Sequence, residues 1–163
     1  MAIGMRARID GLRLDAARPL VYTRNMRLQP LTRDEIPALL TGHGINPTRQ
    51  RVEIGYALFS RCAHMSADQV LAAVNCRSPE TSRATVYNTL NLFVEHKLIR
   101  QVVVDPARIF YDPNTTEHHH FYDVVSGKLT DIDAEGVAVS GLPPLPKGAV
   151  AEGVDVIIRI RPN

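Results

Sequence analysis

The most concentrated chemistry in the chain is the run Glu117-His118-His119-His120-Phe121. Three consecutive imidazoles are seldom explained by packing alone. On a strand successive side chains alternate faces, so His118 and His120 point one way and His119 the other, and the run can serve two sites. Neutral imidazole ligates iron, zinc or manganese, and it also serves as an axial ligand of haem. Partners for His119 are His64, Asp112 and Asp131, which add a nitrogen and up to two carboxylates. That set is hard to borderline and suits ferrous iron or manganese. A site of this kind would tie the two halves of the chain together. The competing readings are a surface histidine run with incidental metal affinity, residues capping a strand, or a metal-dependent enzyme using the same cluster. No nucleophile motif, Gly-rich phosphate loop or general-base signature stands beside it to favour the enzyme.

A second group of residues fits duplex DNA. Ser82, Arg83, Thr85, Tyr87 and Asn88 lie at the start of a helical pattern. Arg83 can grip guanine or phosphate, Asn88 matches the N6 and N7 edge of adenine, and Thr85 and Tyr87 can touch thymine or phosphate. Arg49 and Arg51 at the start of an earlier helix are phosphate candidates, as is Arg108 at a hairpin tip. The competing reading is an ordinary surface helix with Tyr87 half in the core.

The elements that must position these residues follow from periodicity and caps. Thr32-Arg33-Asp34-Glu35 reads as a capping box opening a helix that Gly42 and Gly44 end. Thr48 caps a second helix carrying Val52, Ile54, Ala57, Leu58 and Phe59. Ser66, with Gln69 reciprocating, opens a third whose stripe is Val70, Leu71 and Val74. After the Pro79-Glu80-Thr81 turn, Ser82 opens a fourth, with Val86, Leu90, Phe93 and Val94 marking it up to about His96. The period then changes to that of strands: Ile99 to Val104 and Ile109 to Asp112 form a hairpin across Asp105-Pro106-Ala107-Arg108. Helices followed by such a hairpin describe a winged helix-turn-helix. Beyond Pro113, strands are expected at Phe121 to Val125, Lys128 to Ile132 across a Ser126-Gly127 turn, and Val154 to Ile160. Pro143, Pro144 and Pro146 leave room for at most one short helix, around Ala138 to Leu142. The fold class is therefore α+β, a DNA-binding winged helix over residues 32–113 followed by a small α/β unit over 114–163. A unit this thin gains stability by pairing across a two-fold axis, which also suits palindromic DNA.

Composition sets the outer bounds. The chain has 163 residues, 45% of them hydrophobic, and a net charge of +2. Its longest apolar runs fall far short of the roughly 20 residues of a bilayer crossing, and no secretory pattern is evident, so the expected address is cytoplasmic and away from membranes. Cys62 and Cys76 cannot build a four-cysteine zinc site and read as packing thiols. Charge is unevenly distributed: residues 1–30 hold six arginines against two aspartates. This basic extension, 1–31, reads either as a phosphate-touching arm or as an ordinary tail, with Met26 an alternative start. His43 and His96 read as exposed helix-end residues without a role.

Several of these segments resemble the ferric uptake regulator superfamily: Asn46-Pro47-Thr48-Arg49-Gln50-Arg51, Ala84-Thr85-Val86-Tyr87-Asn88-Thr89-Leu90, and Phe110-Tyr111-Asp112 ahead of the His118-His119-His120 triplet. The triplet followed by Phe121, Asn88 after Tyr87, and Val154-Asp155-Val156-Ile157-Ile158-Arg159 look like its iron response regulator branch. The resemblance covers about residues 34 to 161. It implies a homodimer with N-terminal winged helices and a C-terminal dimerisation domain, regulating genes of iron and haem metabolism from palindromic operators. His64, Asp112, His119 and Asp131 match the regulatory metal positions, and His118 and His120 match the first two positions of a second site. Val124 and Ser126 stand where many members carry cysteines, so structural zinc is expected to be absent. Phe121 replaces a histidine common in the metal-sensing members, and Gly153 and Val154 stand where a late histidine is usual. Neither Cys62-Ala63 nor Cys76-Arg77 is a Cys-Pro haem motif. The implied cofactor is iron or haem, with manganese or zinc as alternatives, and any haem would rest on His118, His119 or His120.

Overall fold

The computed structural model describes residues 29–77 and 80–162. The arginine-rich extension before Gln29, the alternative start at Met26, and Pro79 of the expected turn lie outside the described residues. The architecture is α+β: helices α1 (Ile36–Gly42), α2 (Arg49–Phe59), α3 (Ala67–Asn75) and α4 (Arg83–Glu95) precede five strands. Strands β1 (Arg100–Asp105) and β2 (Arg108–Asp112) form an antiparallel hairpin. Strands β3 (His118–Asp123), β4 (Leu129–Asp133) and β5 (Ile157–Ile160) form a second sheet in the order β4-β3-β5. In it β4 runs antiparallel and β5 parallel to β3.

The helix starts follow from their caps. Glu35 accepts hydrogen bonds from the Thr32 amide at 2.8 Å and the Thr32 hydroxyl at 2.7 Å, fixing the short 3-10 turn that leads into α1. The Ser66 amide donates to Gln69 Oε1 at 2.8 Å while Ser66 Oγ accepts from the Gln69 amide at 3.3 Å, which satisfies amides that have no partner within α3. Ser82 Oγ accepts from the Thr85 amide at 3.1 Å at the start of α4. Gly44, at φ +72°, lets the chain leave α1 in a left-handed turn, with the Ile45 amide reaching back to the Leu40 carbonyl at 2.9 Å.

Two apolar clusters organise the molecule. The first joins Ile36 and Leu40 of α1, Ile54, Leu58 and Phe59 of α2, Val70 and Val74 of α3, Val86, Leu90 and Phe93 of α4, and Tyr111 of β2. The second is built from Val102, Val104 and Phe110 of the hairpin together with Tyr122 and Leu129 of the second sheet, with Ile157 packed against it. The hairpin, expected to belong with the helices, thus lays its apolar face on the second sheet, while Tyr111 and a bridge to Met65 keep it attached to the helical body.

The second half departs from its sequence reading in its strand bounds and in one expected helix. The predicted strand Phe121 to Val125 starts three residues earlier and stops at Asp123, because Asp123 accepts from the Val125 and Ser126 amides and from the Ser126 hydroxyl. That side chain builds the turn completed by Gly127 at φ +70°. No helix forms around Ala138 to Leu142; the only helical turn in this region is a 3-10 turn at Ala134–Gly136. Gly141 sits at φ +73°, and Pro143 disfavours the helical region for Leu142 before it.

Candidate metal centre and nucleic-acid interface

Three elements converge on one buried point. His64 comes from the loop before α3, Asp112 ends β2, and His118 and His120 lie on the inward face of β3, their donor atoms all within 4.8 Å of one another. Asp112 Oδ2 lies 3.0 Å from His118 Nε2, 3.4 Å from His64 Nε2 and 3.7 Å from His120 Nε2. Asp131, opposite His120 on the β3–β4 ladder, brings Oδ1 to 2.9 Å from His64 Nε2 and 3.7 Å from His118 Nε2. Together these residues supply three imidazoles and two carboxylates.

The alternation along β3 decides which histidines take part. His118 and His120 are buried on the inner face; His119 faces the other way, where its Nδ1 accepts from the Val156 amide at 3.4 Å. The expected grouping of His119 with His64, Asp112 and Asp131 is therefore corrected: His118 and His120 occupy that place, and the triplet serves one buried cluster and one outward position. His118 and His120, expected at a second site, stand in this first cluster.

The hydrogen bonding of the cluster is incomplete. His64 Nε2 and both ring nitrogens of His120 are buried without a hydrogen-bond partner, since His64 lies near Asp131 without a bonding angle. Buried imidazole nitrogens normally find partners. Nitrogens left open toward a shared carboxylate fit a divalent cation of the iron, manganese or zinc kind, for which imidazole and carboxylate are suitable donors. The two carboxylates dominate the field of the cluster. Burial, the largest effect on His64, lowers its pKa, but Asp112 and Asp131 together more than offset it and raise it to about 9. Burial also acts on Asp112, yet contacts with His118, His120 and His64 hold it far below the usual carboxylate range. His120 is pushed down, mainly by burial.

One participant was not visible as a site residue in the sequence. Arg100, the Cα partner of Asp112 across the hairpin, donates from Nε to Asp112 Oδ2 at 3.2 Å and from Nη2 to the His118 carbonyl at 3.3 Å. Hairpin register was a near signal for it: pairing Asp105 with Arg108 across the turn sets residue 100 opposite residue 113, and the bulge between Val103 and Asp105 moves it opposite residue 112.

The predicted DNA-facing residues separate into two groups. On α4, the expected Tyr87 and Asn88 are exposed, and Ala84 and Asn91, exposed at helical spacing from them, belong to the same face and were missed. Arg49 is exposed at the start of α2. The others are engaged within the chain. Ser82 and Thr85 cap α4 and bond each other at 2.9 Å, Arg83 pairs with Asp68 at 3.0 Å, and Arg51 donates to the Asn46 carbonyl at 2.9 Å. Arg108 does not project freely from the hairpin tip: it donates to the Tyr122 hydroxyl, because the hairpin lies against the second sheet.

Comparison with known proteins accords with this geometry. The profile of the ferric uptake regulator family matches residues 42–141. A peroxide-responsive repressor of Staphylococcus epidermidis is 31% identical over 98 residues, covering 60% of this chain and 65% of that protein. The peroxide operon regulator of Bacillus subtilis is 33% identical over 94 residues, covering 58% of this chain and 65% of that protein. The chain thus spans just under two thirds of the length of these curated relatives. Among solved structures, a zinc-bound manganese uptake regulator superposes with a TM-score of 0.61 at 18% identity, over 78% of this chain and 98% of that one. The Helicobacter pylori ferric uptake regulator does so with a TM-score of 0.59 at 18% identity, over 84% of this chain and 94% of that one. With the fold shared and the family profile covering most of both halves, the chain belongs to the ferric uptake regulator family.

Proposed function

We propose that the chain is a metal-responsive transcription regulator that binds palindromic operator DNA as a homodimer in the cytoplasm, with iron as its signal. The observation that carries this reading is the buried His64–Asp112–His118–His120 cluster, which draws donors from the helical body, the hairpin and the second sheet. A bound divalent ion would supply a charge that holds these segments in one arrangement. His64, Asp112, His118, His120 and Asp131 are the residues that would hold it.

The rest of the machinery is consistent with that role. The face of Ala84, Tyr87, Asn88 and Asn91 is exposed on the helix that a helix-turn-helix inserts into the major groove. β5 pairs with β3 on one side only among the described residues, and Phe121, Ile158 and Ile160 expose 36–43% of their surface on the outer face of that sheet. An unpaired edge beside an apolar face is where a second copy would add. No helix among the described residues is long and apolar enough to cross a membrane.

The test is fluorescence anisotropy with an AT-rich palindromic operator, with and without Fe(II) or Mn(II). Metal-dependent affinity above that for random duplex supports the reading; equal affinity for both duplexes defeats it. Two variants of the signal are resolved in parallel. The relatives named as peroxide-responsive make peroxide a candidate, supported if peroxide abolishes operator binding by the Fe(II) form and spares the Mn(II) form. Haem, the other form of the iron reading, is the less favoured, because His118 and His120 are both buried against carboxylates. A haemin titration gives the same Soret band for wild type and a triple alanine variant at His118, His119 and His120 if haem is not a ligand of the triplet.

A further inference from the structure

We propose that Arg100 is a built-in counter-cation of the metal centre, a positioning residue whose charge sets how tightly a divalent ion is held and which Asp155 moderates. The proposal rests on the reading of the buried cluster as a metal site.

Asp112 is 1% exposed, and its Oδ2 faces four nitrogens: His118 Nε2, Arg100 Nε, His64 Nε2 and His120 Nε2. Imidazoles can be neutral, but a guanidinium keeps its charge in any protein environment. Arg100 is therefore the permanent cation beside this buried carboxylate, and in the metal-free chain it shares the compensation of that charge with His64. It is also held in place. Arg100 sits opposite Asp112 on the hairpin ladder, Nη2 donates to the His118 carbonyl at 3.3 Å, and Nη1 lies 3.6 Å from Asp155 Oδ1. Its side chain is 23% exposed, and these contacts hold the guanidinium beside Asp112.

Two consequences follow. A dication on the histidine side of Asp112 meets a fixed positive charge on the other side, and repulsion at such a range is weakly screened in a buried site. The same guanidinium draws on the lone pairs of Oδ2 and weakens it as a donor. Arg100 thus stabilises the empty centre and opposes the filled one, setting a threshold concentration for the metal. Asp155, just ahead of β5 and 58% exposed, partly neutralises Arg100 and so favours the ion slightly.

The experiment measures Mn(II) affinity by chelator competition and thermal unfolding with and without Mn(II). It uses the full chain as wild type, Arg100→Gln, Arg100→Lys, Asp155→Asn and the double variant Arg100→Gln/Asp155→Asn. Glutamine keeps a hydrogen-bond donor and removes the charge; lysine keeps the charge. Arg100→Gln is expected to bind roughly tenfold tighter, a size within that of partner effects on metal sites. It should also melt lower than wild type when metal-free and close to it when saturated. Arg100→Lys should stay near wild-type affinity. Asp155→Asn should bind a few-fold more weakly with Arg100 present and show no effect beside Arg100→Gln. If both Arg100 variants weaken binding, the guanidinium acts through geometry and the proposal is overturned, as it is if Arg100→Gln leaves affinity unchanged. Should Arg100→Gln not fold, Asp155→Asn decides alone: weaker binding supports the counter-cation and unchanged affinity overturns it. A wild type that binds no Mn(II), Fe(II) or Zn(II) overturns the metal reading together with this one, whereas a wild type that binds while Arg100→Gln fails to tighten overturns this one only.

Discussion

Neighbouring histidines separated by one position have different surroundings. His120 is fully buried among His64, His118 and Asp112, and its ring lies 4.6 Å from that of His118 and 5.0 Å from that of His64. His119 contacts the Val156 amide on the opposite face. His120→Ala should therefore weaken Mn(II) binding by more than the 10–100-fold typical of losing an outer partner, whereas His119→Ala should leave it within about threefold. Isothermal titration of both variants checks this, and equal losses would return His119 to the site. The alternation itself was readable from the sequence. What it leaves open is which face turns inward, since that depends on how β3 docks against the hairpin and the loop carrying His64. On α4, Asn88→Ala should cost roughly 1–3 kcal/mol of operator affinity and relax one base position. A uniform loss across operator and random DNA in the anisotropy assay would mean that Asn88 touches only backbone.

Elements whose signal is local were the ones read correctly. Thr48, Ser66 and Ser82 each stand at the N-cap of a helix, and the polar–apolar period carries the rest. In the second sheet β3 starts three residues before its expected place and ends two before, β4 lies one residue on, and β5 starts three residues late, because strand ends are set by partners: Asp123 turns the chain after β3, and β5 begins only where the parallel ladder with β3 starts at Ile157. One close approach inside the helical body was not legible either. A Cβ added at Gly55 on α2 would lie 2.8 Å from Ile36 Cγ2 on α1, and Ile36 is fully buried and β-branched, with little freedom to yield. Gly55→Ala, favourable by helix propensity alone, should instead destabilise by about 1–3 kcal/mol, the usual range for overpacking. Urea unfolding with an unchanged m-value would show it, and a stabilised variant would mean that the two helices separate easily.

At the scale of the molecule, the hairpin joins the two apolar clusters. Its Tyr111 joins the helical core, its Val102, Val104 and Phe110 join the core under the second sheet, and its last residue is the metal-ligand candidate Asp112. An ion bound at this centre acts on helical body and second sheet at once, so its binding energy is also docking energy. At a free concentration 100 times the dissociation constant, it should add about 2.7 kcal/mol to the unfolding free energy. If that docking transmits the signal, loosening it away from both sites should uncouple them. Leu129 serves the purpose: it is buried on β4 under the hairpin, offers no donor atom, and stands apart from the exposed face of α4, while the variant's Mn(II) affinity, measured alongside, reports any disturbance of Asp131 two residues on. Leu129→Ala should cost roughly 2–5 kcal/mol of stability. The ratio of operator affinities with and without Mn(II), in wild type expected within the 5–150-fold span of ordinary allosteric coupling, should fall toward one. Metal-free binding to random duplex should be unchanged, since α4 and its supporting helices are untouched. Anisotropy titrations on the folded variant below its melting temperature measure both quantities. A wild-type ratio retained in Leu129→Ala would show that the metal acts on the helices through His64 directly, without the packed hairpin as intermediary.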